Sequence, residues 1–142
     1  MTTLSRVALA LFFVIAGIAH FTTPTTYLAI TPPYVPWPAA FVAITGGAEI
    51  LGGLGVCFRS TRRAAGWWLI ALLMAVFPAN LQAISTGMVV GCYVVPEWML
   101  WARLPLQLLL VIWVGRVCLG RTSRSKIALQ SERGWKASHL RL

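Results

Sequence analysis

The chain has 142 residues, 58% of them hydrophobic and only 11% charged, with twelve Lys and Arg against three acids and a formal net charge of +9. A soluble domain carries about a quarter of its residues as charged types, so this composition excludes a water-facing globule and makes lipid the solvent for most of the chain. Nucleic acid is excluded as a partner, because the cations sit in short clusters between apolar runs and in the C-terminal tail, not on one folded polar face.

Four apolar runs reach the roughly 20 residues that a helix needs to cross hydrocarbon: Leu4 to Phe21, Ala39 to Phe58, Ala64 to Thr86 and Trp98 to Leu119. The expected fold is all-α, an integral membrane four-helix bundle over residues 1–120, with a basic tail over 121–142. The first connection, Thr22 to Pro38, holds Pro24, Pro32, Pro33, Pro36 and Pro38 and forbids one continuous helix. Arg59 to Arg63 is a tight basic turn, and Gly87 to Pro96 is a second turn-rich connection.

Arg6, the Arg59, Arg62 and Arg63 cluster, and the tail from Arg116 onward fall on one side of a four-span arrangement. The loops of the other side contain Glu97 and no Lys or Arg. The positive-inside rule then predicts cytoplasmic termini. Tyr34, Trp37, Tyr93, Trp98 and Trp101 would mark the outer interface, and Phe58, Trp67 and Trp68 the inner one. Arg6 followed by an apolar stretch and the small residues Gly17 and Ala19 also fits a signal peptide, whose cleavage would leave three spans. An uncleaved first helix is the expectation, since it carries His20.

Polar groups inside spans are functional candidates. Here they are His20, Glu49, Asn80, Arg103 and Gln107, with Gln82 beside them. At 1.5 Å per residue Glu49 lies ~15 Å into its helix, and Asn80 and Arg103 lie ~8 to 9 Å from their outer ends. All belong to the outer half of the bundle. Gly46, Gly52 and Gly53 strip the Glu49 face of bulk, allowing close helix packing or room for a ligand. Pro78 and Pro105 free the carbonyls of Met74 and Trp101 near the same depth. Two readings stand side by side: a ligand site, or a clasp in which Glu49 and Arg103 form a buried ion pair and Asn80 and Gln107 tie helices together. His20, near a span end and without a second His or Cys at ligand spacing, reads as interfacial, and no metal is expected.

With no Asp in the chain and no G-x-S-x-G, Asp-based triads and aspartyl dyads are excluded, as are phosphate-binding glycine loops. Cys57, Cys92 and Cys118 form no C-x-x-C and read as free thiols. In the tail, Arg124, Lys126, Arg133, Lys136 and Arg141 suit an anionic leaflet at about 1 kcal/mol each.

His20-Phe21, Pro32 and Pro36, Gly46-x-x-Glu49-x-x-Gly52, Phe77-Pro78-Ala79-Asn80 and Arg103-Leu104-Pro105-Leu106-Gln107 resemble the DoxX-like family of small bacterial four-helix membrane proteins, over roughly Ser5 to Leu119. The resemblance implies the bacterial inner membrane and a link to quinone-dependent thiosulfate or thiol oxidation. No cofactor is expected of the chain itself; quinone, with Arg103, Asn80 or His20 as its hydrogen-bond donor, and a membrane redox partner belong to the oxidoreductase alternative below. The residues themselves show no nucleophile and no electron carrier. The leading expectation is an accessory membrane protein, not a stand-alone enzyme, whose outer-half polar pocket binds a small molecule or stabilises a partner. The alternatives are a membrane subunit of a quinone-linked oxidoreductase and a small-solute transporter, which would need a homo-oligomer.

Overall fold

A computed structural model of the protein describes residues 3–120; the basic tail from Arg121 onward lies outside the described residues. The elements are α1 (Thr3–Thr22), α2 (Pro24–Ala29), α3 (Pro38–Cys57), α4 (Arg62–Thr86), the strands β1 (Val89–Val90) and β2 (Tyr93–Val94), and α5 (Glu97–Val114), which continues into a π-helical turn, Gly115–Leu119. Four helices, α1, α3, α4 and α5 with its π turn, are long and apolar enough to cross a membrane. The proline-rich connection contains one feature not expected from sequence: Pro24 opens the short helix α2, a place where its missing N–H costs nothing. The Gly87 to Pro96 connection is a hairpin pairing Val89 with Val94 and Val90 with Tyr93. Gly91, at φ +61°, takes the first loop position, where a side chain would be strained.

α3 packs on α1 along one flank and on α4 along the other, and α4 packs on α5 and the π turn. The α1–α3 contact is backbone against backbone. A Cβ on Gly17 would stand 2.6 Å from the Gly46 carbonyl oxygen, and one on Gly53 would stand 2.9 Å from that of Ala10. Gly52 admits the Leu69 side chain of α4 in the same way. Where lipid gives helices no hydrophobic reason to associate, such close approach supplies the dispersion contacts that hold them.

The bundle has two distinguishable ends. At the arginine end, Leu9, Phe13, Val56, Leu69, Val114 and Val117 form one apolar core. There Arg62 caps α3, with Nε donating to the Val56 carbonyl at 3.0 Å and Nη2 to that of Cys57 at 3.4 Å, placing a cation at the negative pole of the helix. At the hairpin end, Ile30, Ala83, Met88, Val95 and Leu100 form a second, smaller core. The outward faces stay apolar, with Leu51 70% and Ile44 69% exposed. Tyr34, Trp37 and Trp98 ring the hairpin end, and Phe58, Trp67 and Trp68 the arginine end, all exposed.

Candidate functional site

Between the two apolar cores lies a cavity of about 260 Å³. Its polar wall includes His20 from α1, Tyr27 from α2, Thr45 and Glu49 from α3, Asn80 from α4, and Arg103 and Gln107 from α5; Phe12, Phe13, Leu73 and Leu110 supply apolar wall. All five polar residues singled out in the spans therefore line one space. Gly46, Gly52 and Gly53 do not: they serve the helix contacts described above, with a Cβ on Gly46 falling 2.6 Å from the His20 Cβ. Pro78 and Pro105 sit inside helices that continue past them.

The pairing differs from the expected one. Glu49 faces His20, with Nε2 to Oε2 at 3.7 Å, and no ion pair joins Glu49 to Arg103 among the described residues. The reason is the glycine contact: Gly17 against Gly46 draws α1 onto α3 and brings His20 over the next turn of α3. His20 is accordingly buried, not interfacial. Its Nδ1 lies 3.0 Å from the Val42 carbonyl oxygen and 3.2 Å from Thr45 Oγ1. A carbonyl only accepts, so Nδ1 carries the ring hydrogen, and Nε2 of the neutral ring faces the carboxylate as a lone pair.

Tyr27 roofs this corner, its ring 3.8 Å from that of His20. Burial first, and then the charge of Glu49, push the Tyr27 phenol above its ordinary value, with Arg103 pulling the other way. Tyr27 is thus an O–H group at neutral pH and lies within electrostatic reach of both charged residues. α2 is itself pinned by Thr26 Oγ1 donating to the Val89 carbonyl at 2.9 Å.

The α4–α5 side is a clasp. Asn80 Nδ2 donates to Gln107 Oε1 at 2.7 Å, and Gln107 Nε2 donates to the Leu73 carbonyl, one residue before the Met74 carbonyl that Pro78 leaves free. Replacing Gln107 by Leu removes both bonds at once. It should lower the bundle's unfolding free energy by about 1 kcal/mol, near the mean for interhelical polar contacts in membranes, as measured by thermal unfolding in detergent.

On the cavity wall, a carboxyl and a guanidinium remain unmatched. Glu49 Oε2 is sealed from solvent with no hydrogen-bond donor, and Arg103 makes no hydrogen bond or ion pair among the described residues. No group of His, Cys, Asp and Glu suited to a metal occurs among the described residues. Tyr27 and Thr45 were not found by sequence reasoning. Thr45 had a signal, standing four residues before Glu49 on the same helical face, whereas Tyr27 was hidden in the proline-rich connection.

No curated protein and no solved structure matches this chain. The family comparison matches residues 9–118 to a domain of unknown function, DUF8561, and not to the DoxX-like family. That overturns the resemblance drawn from the proline, glycine and polar motifs, which recur wherever small apolar bundles bury polar groups. The quinone-linked oxidoreductase expectation drew on that resemblance, and the family match gives it no support. The chain belongs to the DUF8561 family, whose matched region contains every residue that lines the cavity.

Proposed function

We propose that this protein is a four-span membrane protein, with its arginine end and both termini in the cytoplasm, whose cavity in the outer half of the bundle binds a small molecule. The observation that carries the reading is a largely apolar cavity with two unmatched polar groups on its wall, the Glu49 carboxylate and the Arg103 guanidinium. A structural clasp completes its own hydrogen bonds, as Asn80 and Gln107 do; a site leaves bonds for its ligand to complete. Arg6, Arg59, Arg62 and Arg63 all sit at one end, which supports the orientation. That end faces the cytoplasm of a bacterial inner membrane in this reading.

The native cysteines test the topology. Cys92 is exposed in the hairpin and Cys57 is exposed at the arginine end, while Cys118 is buried. A membrane-impermeant maleimide applied to intact spheroplasts should label Cys92 and spare Cys57. Labelling of Cys57 alone would reverse the orientation.

Binding is tested on protein extracted from its own membrane. Native mass spectrometry should show an adduct on the wild type that is lost from the Glu49→Gln, Arg103→Met double variant, while the variant's melting temperature changes little. An adduct of equal occupancy on the double variant, or none on the wild type, refutes the site.

A further inference from the structure

The two unmatched groups ask for opposite things. Arg103 offers a permanently charged donor fork that suits a carboxylate. Glu49, only 9% exposed, offers a buried acceptor oxygen with no donor. Its neighbour cannot help it, since the His20 ring hydrogen is committed to Val42 and Nε2 is a second acceptor facing the first across 3.7 Å. With Glu49 ionised, two acceptors stand face to face, and a donor between them or beside them satisfies both. A hydroxyl has one hydrogen and can serve one of the two; an ammonium group has three and can serve both.

Charge and size narrow the choice further. An ionised Glu49 and Arg103 carry opposite signs and do not neutralise each other by contact. A ligand with one charge would leave the other protein charge unmatched in an apolar enclosure. The cavity of about 260 Å³ exceeds the ~150 Å³ apolar cavity that accepts benzene, and Phe12, Phe13, Leu73 and Leu110 line it. There is room for an aromatic or branched aliphatic body.

Resting on the small-molecule reading above, we propose that the ligand is a compact apolar zwitterion of amino-acid type, its ammonium group held by Glu49 and the His20 Nε2, its carboxylate by Arg103, and its side chain by the phenylalanine and leucine wall. The Tyr27 hydroxyl, within electrostatic reach of both charges, roofs the polar end of that ligand. No covalent step is involved.

The test compares probes that differ by one group, measured by calorimetry on the purified full-length chain in nanodiscs at pH 7. L-Phenylalanine, with its charges on one carbon, is compared with phenethylamine and 3-phenylpropanoate. 4-(Aminomethyl)benzoate, with its charges apart, is compared with benzylamine and benzoate. At least one zwitterion should bind tenfold or more tightly than both of its single-charge relatives. Glu49→Gln should erase its advantage over the acid, and Arg103→Met its advantage over the amine. If a single-charge probe binds as tightly as its zwitterion, or if none of the probes binds while native extracts carry an adduct, the amino-acid assignment fails and the small-molecule site stands. If no probe binds and native extracts carry nothing, both readings fail.

Discussion

Replacing Gly17 by Val should destabilise the bundle by about 3 kcal/mol, the upper part of the usual overpacking range. The first added carbon would meet the Gly46 carbonyl oxygen at 2.6 Å, Ile50 Cγ1 at 2.7 Å and the Ile50 backbone nitrogen at 3.1 Å. A flexible side chain could move away, but a helical carbonyl cannot without breaking its own ladder, so the two helices must separate. That separation forfeits dispersion contacts along the whole interface and lifts His20 away from Val42. Gly47→Val is the control. A Cβ there meets nothing within 4 Å, and loss of the glycine's backbone freedom makes the change neutral or slightly stabilising. Thermal unfolding of the two variants in the same detergent measures the contrast. Equal melting temperatures would mean that the α1–α3 contact does not hold the bundle together.

How much of this was legible in the sequence depends on whether the signal is local. Four apolar runs of span length are local, because their hydrophobicity does not depend on partners, and the structure contains the four long apolar helices they imply. Polar residues embedded in such runs are just as visible, which is why Glu49, Asn80, Arg103 and Gln107 could be singled out. Their partners could not be. Charge complementarity suggested Glu49 with Arg103, but α3 packs on α1 and α4, and α5 packs on α4; helix neighbours, not formal charge, decide which side chains meet. His20 looked interfacial because it lies near a span end, and it is buried because α2 folds back over that end and stacks Tyr27 upon it. Two-residue strands are too short to show alternation, so the hairpin left only Gly91 as a trace. The family was misjudged for a related reason. Glycine stripes, mid-helix prolines and buried amides solve problems common to every small membrane bundle, so they report the architecture and not the lineage.

The second large effect is expected at His20. His20→Leu keeps a similar volume but removes the donor to the Val42 carbonyl and the polar ring that faces the Glu49 carboxyl. The buried Val42 carbonyl is left without a donor and Glu49 is left facing hydrocarbon, two unmet polar groups that together cost about 3 kcal/mol. Glu49→Gln in the same background removes the carboxyl charge that faces the leucine, so the double variant should recover part of the loss, with a coupling energy of about 1 to 3 kcal/mol in a double-mutant cycle. Recovery will be incomplete, because Val42 still lacks its donor. This cycle separates the two roles of the polar cluster. Stability measures how far the His20–Glu49 pair fastens α1 to α3, and ligand occupancy measures how far it is a site. A double variant that regains its melting temperature yet carries no adduct assigns the pair to binding. Regained stability together with undiminished occupancy would make the pair a fastening alone and leave Arg103 as the group that holds the ligand.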